Sequence, residues 1–178
     1  MKRFSLAPLA WIAVLVLAGA LPAAAQIDFS GTATADLSGF NEVPAIFSFG
    51  GGRFEATVNA DGTSITWDLT FDHLSAPVTQ SHIHFAEEHV NGAIVIFFCS
   101  NLPNPPAGTP ACPAPPAHLT GTFTASNVGA GAAAQGIGAQ QIKALLRAMR
   151  SGATYVNVHS TKFPGGEIRG QVHFEPTP

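Results

Sequence analysis

Three of the chain's seven histidines lie within eight positions, in the stretch SHIHFAEEHVNG (81–92). His82 and His84 are two residues apart, so on a β-strand both imidazoles project from one face while Ile83 projects from the other. Imidazole nitrogen is a good ligand for copper and zinc. Neutral imidazoles also form buried hydrogen-bonded networks that specify a fold without any ligand. The stretch therefore indicates either a transition-metal site or a structural polar network.

Polar residues near the C-terminus can complete either arrangement. In the segment ATYVNVHS (153–160), Asn157 and His159 share one face of a predicted strand and the valines occupy the other. In the register expected for the hairpin that follows, His159 lies opposite Glu167. The same register places Asn157 opposite Arg169. A slip of one residue would separate these partners, so the grouping depends on this register.

The metal hypothesis gives each of these residues a role. Its ligands are His82, His84, His159 and Glu167. Glu167 is either the fourth ligand or the acceptor that orients an imidazole N–H. His89, in a polar loop with two glutamates, is a candidate additional ligand, and Asn157 and Arg169 support the site. Copper is the first choice of ion and zinc the second, because copper leads zinc in intrinsic affinity for such ligands.

The two cysteines, Cys99 and Cys112, flank most of a segment rich in proline. Proline has no backbone N–H to give to a ladder, so we expect an irregular insertion over 99–118. A disulfide between the cysteines would pin this insertion and would contribute about 3 kcal/mol to stability in the chain-entropy model. The competing interpretation is a pair of thiolate metal ligands, which an oxidising compartment disfavours.

The N-terminal residues 1–25 have the pattern of a secretory signal peptide. Met1, Lys2 and Arg3 precede an apolar run that ends in three alanines. We therefore expect an exported protein, periplasmic or extracellular, that does not insert into a membrane once the signal is removed. Removing the two positive charges changes the formal net charge from −3 to −5, which argues against nucleic acid as a partner. A metal ion or an extracellular or periplasmic protein is the expected partner.

The remainder, 26–178, is predicted to be a single all-β domain. Apolar and polar residues alternate on both sides of Asp61-Gly62, which predicts a hairpin over 53–74. The apolar run AIVIFF (93–98) predicts a strand at the centre of a sheet. Apolar residues with helical spacing predict one short helix near 139–151. Many short strands without βαβ alternation indicate an antiparallel β-sandwich.

Three stretches together resemble the CHRD domain, a repeat first named in the extracellular protein chordin. They are LSGFNEVPA (37–45), SHIHFAEEHVNGAIVIFF (81–98) and GATYVNVHSTKFPGGEIRGQV (152–172). The resemblance covers nearly all of the chain after the signal peptide, and it implies an extracellular immunoglobulin-like or superoxide-dismutase-like β-sandwich without catalytic activity. The chain departs from the usual pattern at Ala45, at Glu87 to His89 and in its long insertion. A role for His89 therefore cannot come from the family.

We expect the protein not to be an enzyme. The sequence contains no GxSxG elbow, no HExxH helix motif and no phosphate-binding loop. The HxH pair resembles the copper-binding element of copper/zinc superoxide dismutase, but the bridging histidine and zinc-loop aspartate of a dinuclear site are not visible. The sequence therefore favours a noncatalytic exported module that acts by binding. The alternative is a periplasmic or extracellular copper or zinc binding protein.

Overall fold

The computed structural model describes residues 27–178, so the predicted signal peptide lies outside the described residues. Within this range the chain forms nine strands and one α-helix. They are β1 (Gly31–Ser38), β2 (Gly51–Val58), β3 (Ser64–Asp72), β4 (Val78–Phe85), β5 (Ala93–Ser100), β6 (Ala117–Thr124), α1 (Ile142–Arg150), β7 (Thr154–Ser160), β8 (Ile168–Gln171) and β9 (His173–Pro176). None of the helices in the described residues is long and apolar enough to cross a membrane.

The strands form one antiparallel sheet in the order β5-β4-β7-β8-β1-β2-β3-β6, and β9 pairs with β1. The sheet curls over a single core and nearly closes like a barrel. Phe98 of β5 packs against Phe54 of β2 and Trp67 of β3, with ring centroids 5.5 and 4.8 Å apart. Aromatic contacts of this kind join strands that are distant in the sheet order. The prediction of an all-β antiparallel fold with one short helix is confirmed.

The hairpin predicted around Asp61-Gly62 is confirmed in detail. Strands β2 and β3 pair along their whole length, and Ala56 lies opposite Trp67. Gly62 has a φ of +67°, in the left-handed region that favours glycine. The apolar side chains of β3 are all buried: Ile65, Trp67, Leu69 and Phe71.

The prediction that the apolar run 93–98 forms a central strand is wrong. Among the described residues, strand β5 stands at the end of the sheet order and pairs only with β4. Its outer edge is covered by irregular segments, since the Gly129 N–H donates to the Val95 carbonyl and the Ser100 N–H donates to the Pro110 carbonyl, both at 2.9 Å. The strand is apolar because loops rather than a further strand exclude water from it.

The proline-rich insertion is pinned as predicted. Cys99 at the end of β5 forms a disulfide with Cys112, which rules out the thiolate pair in this state. The Asn101 side chain reinforces the closure by donating to the Cys112 carbonyl and accepting from the Cys112 N–H. No strand or helix forms between residues 101 and 116.

The C-terminal hairpin positions the residues that the metal hypothesis uses. Strand β7 lies between β4 and β8, and Asn157 faces Arg169 in the predicted register. The single strand predicted over 166–174 is divided into β8 and β9 at Val172, whose N–H donates to the Thr154 carbonyl. Every residue of β7 is buried, so both faces of this strand are covered.

Candidate metal centre

The histidines of β4 and β7 lie on the face of the sheet opposite the apolar core. His82 faces Asn157 and His84 faces Tyr155 across the two strands, while Ile83 enters the core. In the pairing of β4 with β5, the register shifts once between Ser81 and His82 and again between Ile83 and His84. Such bulges re-aim side chains locally. The predicted arrangement, with both imidazoles of the HxH pair on one face, is confirmed.

Three imidazoles converge on this face. One ring nitrogen from each of His82, His84 and His159 lies within 4.8 Å of the other two, and all three residues are buried. The ring of His82 lies between the others, with centroids 4.7 Å from His84 and 4.5 Å from His159. A bound ion with bonds of about 2.0–2.1 Å would hold the nitrogens roughly 3 to 4 Å apart. The rings therefore have to close slightly to hold a metal.

Backbone carbonyls determine which ring nitrogens carry protons. His84 Nδ1–H donates to the Gly92 carbonyl at 2.8 Å, and His159 Nδ1–H donates to the Pro164 carbonyl at 2.9 Å. The Nε2 atom of His84 is then an acceptor, and His82 Nδ1–H donates to it at 2.8 Å. It follows that all three Nε2 atoms carry lone pairs.

Two of these lone pairs are buried without a partner. The Nε2 atoms of His82 and His159 are shielded from solvent and accept no hydrogen bond from any of residues 27–178. Most buried side-chain polar atoms in native proteins have a partner, so an exception requires an explanation. An Nδ1–H donating to a carbonyl with a free Nε2 is also the usual orientation of a metal-binding histidine.

Burial keeps the cluster neutral. It lowers the pKa of His84 to about 4, with nearby His159 and Arg169 adding to the effect and the hydrogen bond to Gly92 opposing it. Burial also lowers the pKa of His82, helped by His159 and His84, and it lowers the pKa of His159. Neutral imidazole is the form that binds metals. The three side chains are therefore ready as ligands at neutral pH.

The side chains of Tyr155 and Arg169 stack on the His84 ring and cover one side of the cluster. The Tyr155 ring lies parallel to His84, with centroids 4.5 Å apart. The Arg169 guanidinium lies 3.4 Å from the centre of the Tyr155 ring. Arg169 also donates to the Asn91 side chain at 3.1 Å and to the Val90 carbonyl at 2.9 Å. It thereby fixes the loop between β4 and β5 over the site.

A buried carboxylate that the sequence analysis did not assign lies behind Asn157. The Asn157 amide donates to Glu42 Oε1 at 2.7 Å. Burial raises the pKa of Glu42 to about 7, although Arg169, Asn157 and the Val43 backbone each lower it. Gly166, with a φ of +132°, leaves room for this contact, because a Cβ there would lie 2.5 Å from both side chains. The sequence signal for Glu42 was its place in the stretch LSGFNEVPA.

The structure does not bring Glu167 or His89 into the cluster. Glu167 Oε1 accepts hydrogen bonds from the Ser48 hydroxyl and the Ser75 N–H, both at 2.6 Å, so this carboxylate ties two loops to the sheet. The side chain of His89 is 80% exposed and lies beside Glu88. The cluster therefore offers three neutral nitrogen donors, two of them oriented by backbone carbonyls, and donors of this kind suit copper or zinc.

The comparison with known families gives one match. The family model of the CHRD domain matches residues 33–172, a span that contains all three histidines of the cluster. No curated protein matches the chain, and no solved structure matches it.

Proposed function

The chain belongs to the CHRD domain family, and we propose that it is an exported, noncatalytic binding module whose ligand is a transition-metal ion, copper before zinc. The ligands are His82, His84 and His159. One observation carries the proposal. The buried Nε2 atoms of His82 and His159 have no hydrogen-bond partner among the described residues, and a third imidazole, that of His84, lies beside them.

A purely structural network explains this arrangement less well. Networks that specify a fold satisfy their members, because each buried polar atom left without a hydrogen bond costs about 1–3 kcal/mol. Here the two unpartnered nitrogens belong to His82 and His159, on neighbouring strands, and their rings are in contact. A metal ion would satisfy both nitrogens at once.

Binding requires one rearrangement within the cluster. His84 Nε2 accepts from His82 Nδ1–H, so an ion that takes this lone pair breaks that hydrogen bond. The hydrogen bonds from His84 Nδ1–H to Gly92 and from His159 Nδ1–H to Pro164 survive and hold these two rings in orientation. The ion gains three ligands for one hydrogen bond lost.

Two observations support export and two support binding rather than catalysis. CHRD domains are typically extracellular, and the Cys99–Cys112 disulfide persists best in an oxidising compartment. The imidazoles are buried against Phe97 and Tyr155, which leaves a substrate little access to them. Glu167 Oε1 and Glu42 Oε1 accept hydrogen bonds from Ser48 and Asn157, and neither carboxylate belongs to the histidine cluster.

A second candidate function, binding of an extracellular or periplasmic protein, is favoured by an exposed aromatic patch. Phe40, Phe47 and Phe49 are 66%, 69% and 82% exposed, in the loop between β1 and β2. Their rings contact one another, with centroids 6.2 and 5.2 Å apart. Exposed apolar patches often mark interaction sites.

Metal titration of the tag-free protein recovered after export tests the metal proposal. Cu(II), Cu(I) and Zn(II) are each titrated into the protein and into a triple variant with His82→Ala, His84→Ala and His159→Ala. We expect one equivalent bound by the protein and none by the variant. The exposed His118→Ala change is the matched control and should leave binding unaltered.

Circular dichroism must show that the triple variant is folded. If it is not, the single His159→Ala variant replaces it, and its affinity should fall by at least about tenfold. Binding no tighter than that of exposed surface histidines would return the cluster to the fold's polar network.

A further inference from the structure

We infer that the histidine cluster selects a monovalent ion, Cu(I), over the divalent ions Zn(II) and Cu(II). The inference rests on the metal binding proposed above and names the ion that the same site takes. Its basis is the juxtaposition of three neutral ligands, deep burial and a fixed guanidinium.

The donor set carries no negative charge. Its three members are neutral imidazoles, and among the described residues no carboxylate oxygen joins them within the 4.8 Å that separates their ring nitrogens. Glu167 Oε1 accepts from Ser48 and Ser75, and Glu42 Oε1 accepts from Asn157. An ion bound here keeps its full formal charge in a buried position.

The electrostatic penalty of burial rises with the square of the charge. A dication therefore costs roughly four times as much to bury as a monocation of the same size. All three imidazoles are buried, so an ion held between them has little contact with water that could screen its charge. Carboxylate or thiolate ligands usually offset this penalty for a dication, and the cluster has none.

The charges around the cluster do not supply the missing counter-charge. Arg169 lies on the Tyr155 ring, which in turn lies on His84, so a fixed positive charge stands two rings away from the site. The carboxylates of Glu42 and Glu88 are both attracted to this Arg169, so they neutralise the guanidinium and are not ligands of the cluster. A monocation therefore leaves less unbalanced charge in the buried site than a dication does.

The number of ligands points in the same direction. Zn(II) sites in proteins are almost always four-coordinate, so three histidines leave one position for water or substrate. The cluster offers little room for either, because His82 is fully buried and its ring packs against the Phe97 ring at 5.0 Å. Cu(II) likewise favours a tetragonal set of nitrogen and oxygen ligands. Cu(I) accepts three ligands without a fourth.

Competition experiments test the selectivity. Cu(I) affinity is measured anaerobically against a chromophoric Cu(I) chelator, and Zn(II) and Cu(II) affinities are measured against chelators of their own. We expect Cu(I) to bind at least about a thousandfold more tightly than Zn(II), as the charge penalty requires. Equal or tighter binding of Zn(II) or Cu(II) at these histidines would overturn the selectivity and leave the metal proposal standing. Failure of all three ions to bind would overturn the metal proposal itself.

The Glu42→Gln variant tests whether charge is the cause. The change keeps an oxygen acceptor for the Asn157 amide and removes a negative charge that lies behind Asn157. Electrostatic attraction scales with the charge of the ion, so a loss of about threefold for Cu(I) predicts a loss of about tenfold for Zn(II). A wider gap between the two affinities supports the inference. An unchanged gap at pH 8, where the native carboxylate is ionised, would overturn its electrostatic basis.

Discussion

The outer side of the curled sheet has two polar regions that differ in exposure. The open face lies on β2, β3 and β6, and the covered face lies around β4 and β7. On β2, β3 and β6 the outward residues meet water, and Thr57, Thr66 and Thr122 form an exposed row in register. On β4 and β7 the outward residues are buried under loops and end in nitrogens without partners. One sequence pattern, the alternation of polar and apolar residues, produces both faces. The contrast shows that polar residues on a strand indicate a candidate functional site when loops bury them, and not when they face water.

Two histidines, one from each face, illustrate the contrast. His118 is 62% exposed and pairs with Asp68 at 2.5 Å, a surface contact worth at most about 1 kcal/mol. His82 is fully buried and its Nε2 has no partner. A buried lone pair without a hydrogen bond is unfavourable for folding, and departures of this kind are expected at functional sites. The following predictions test how far this difference extends.

The largest difference is expected between Arg169 and Arg53, which lie on the covered and the open face. Arg169→Leu removes hydrogen bonds to Asn91 and Val90 and leaves Glu42 buried without its counter-charge. We expect a loss of about 3 kcal/mol or more in the free energy of unfolding, measured by denaturant titration, because two hydrogen bonds to a charged group are lost.

Arg53→Leu is the matched control for that measurement. It removes ion pairs with Asp36 and Glu55, both of which are exposed. The expected loss is far smaller than that of Arg169→Leu, because exposed ion pairs are screened by water and contribute little. Equal losses for the two variants would remove the distinction between the faces.

The pH dependence of stability should differ between the protein and a His84→Gln variant in the presence of a metal chelator. The pKa of His84 is lowered to about 4 in the folded state from 6.5, so the unfolded chain takes up the proton first as the pH falls. The stability that neutral His84 provides is complete above about pH 6.5 and is lost towards pH 4. Relative to the variant, the protein should lose about 2.5 kcal/mol of unfolding free energy between pH 7 and pH 4.5. Parallel curves for the two proteins would show that His84 is accessible to protons when folded.

Much of this architecture follows from local patterns, and the exceptions have a common cause. The hairpin at Asp61-Gly62, the helix near 139–151 and the register of Asn157 with Arg169 were predictable because each is decided by neighbouring residues. The position of β5 was not, since distant loops rather than its own residues cover its edge. The convergence of His82 with His159 was predictable in outline only. Its buried lone pairs depend on the carbonyls of Gly92 and Pro164, which no spacing rule places.

Glu42 escaped the sequence analysis for the same reason. Its partner Asn157 is 115 positions away, and its burial depends on the space left by Gly166. Glu167 is the opposite case, a residue that was predicted to join the cluster and does not. The strand register places it near His159 but does not determine which groups its carboxylate contacts. The loops that carry Ser48 and Ser75 determine that. Long-range loop contacts, rather than strand pattern, therefore decide which acids join a cluster.

Glu42 gives a pH dependence of the opposite sign to that of His84. Burial raises its pKa to about 7 from 4.5, so the folded protein holds the proton more tightly than the unfolded chain does. The stability from protonated Glu42 is complete below about pH 4.5 and is lost as the pH rises through 7. Relative to the native protein, a Glu42→Gln variant should therefore gain about 2 kcal/mol of unfolding free energy between pH 5 and pH 7. A difference that does not change with pH would place the carboxylate in contact with water.

The smallest effect is expected for His118→Gln, the exposed histidine on the open face. The variant loses one surface ion pair with Asp68 and exposes no new apolar surface, so its unfolding free energy should change by less than about 1 kcal/mol. The His82→Gln variant is the informative partner, because a glutamine there buries two amide N–H donors as well as an acceptor beside His84 and His159. We expect a loss of at least about 2 kcal/mol without metal, together with loss of the stabilisation that metal gives the native protein. The contrary result is that His82→Gln changes the unfolding free energy as little as His118→Gln does. The covered face would then tolerate substitution as well as the open face does, and the buried lone pair of His82 would not support a role in binding.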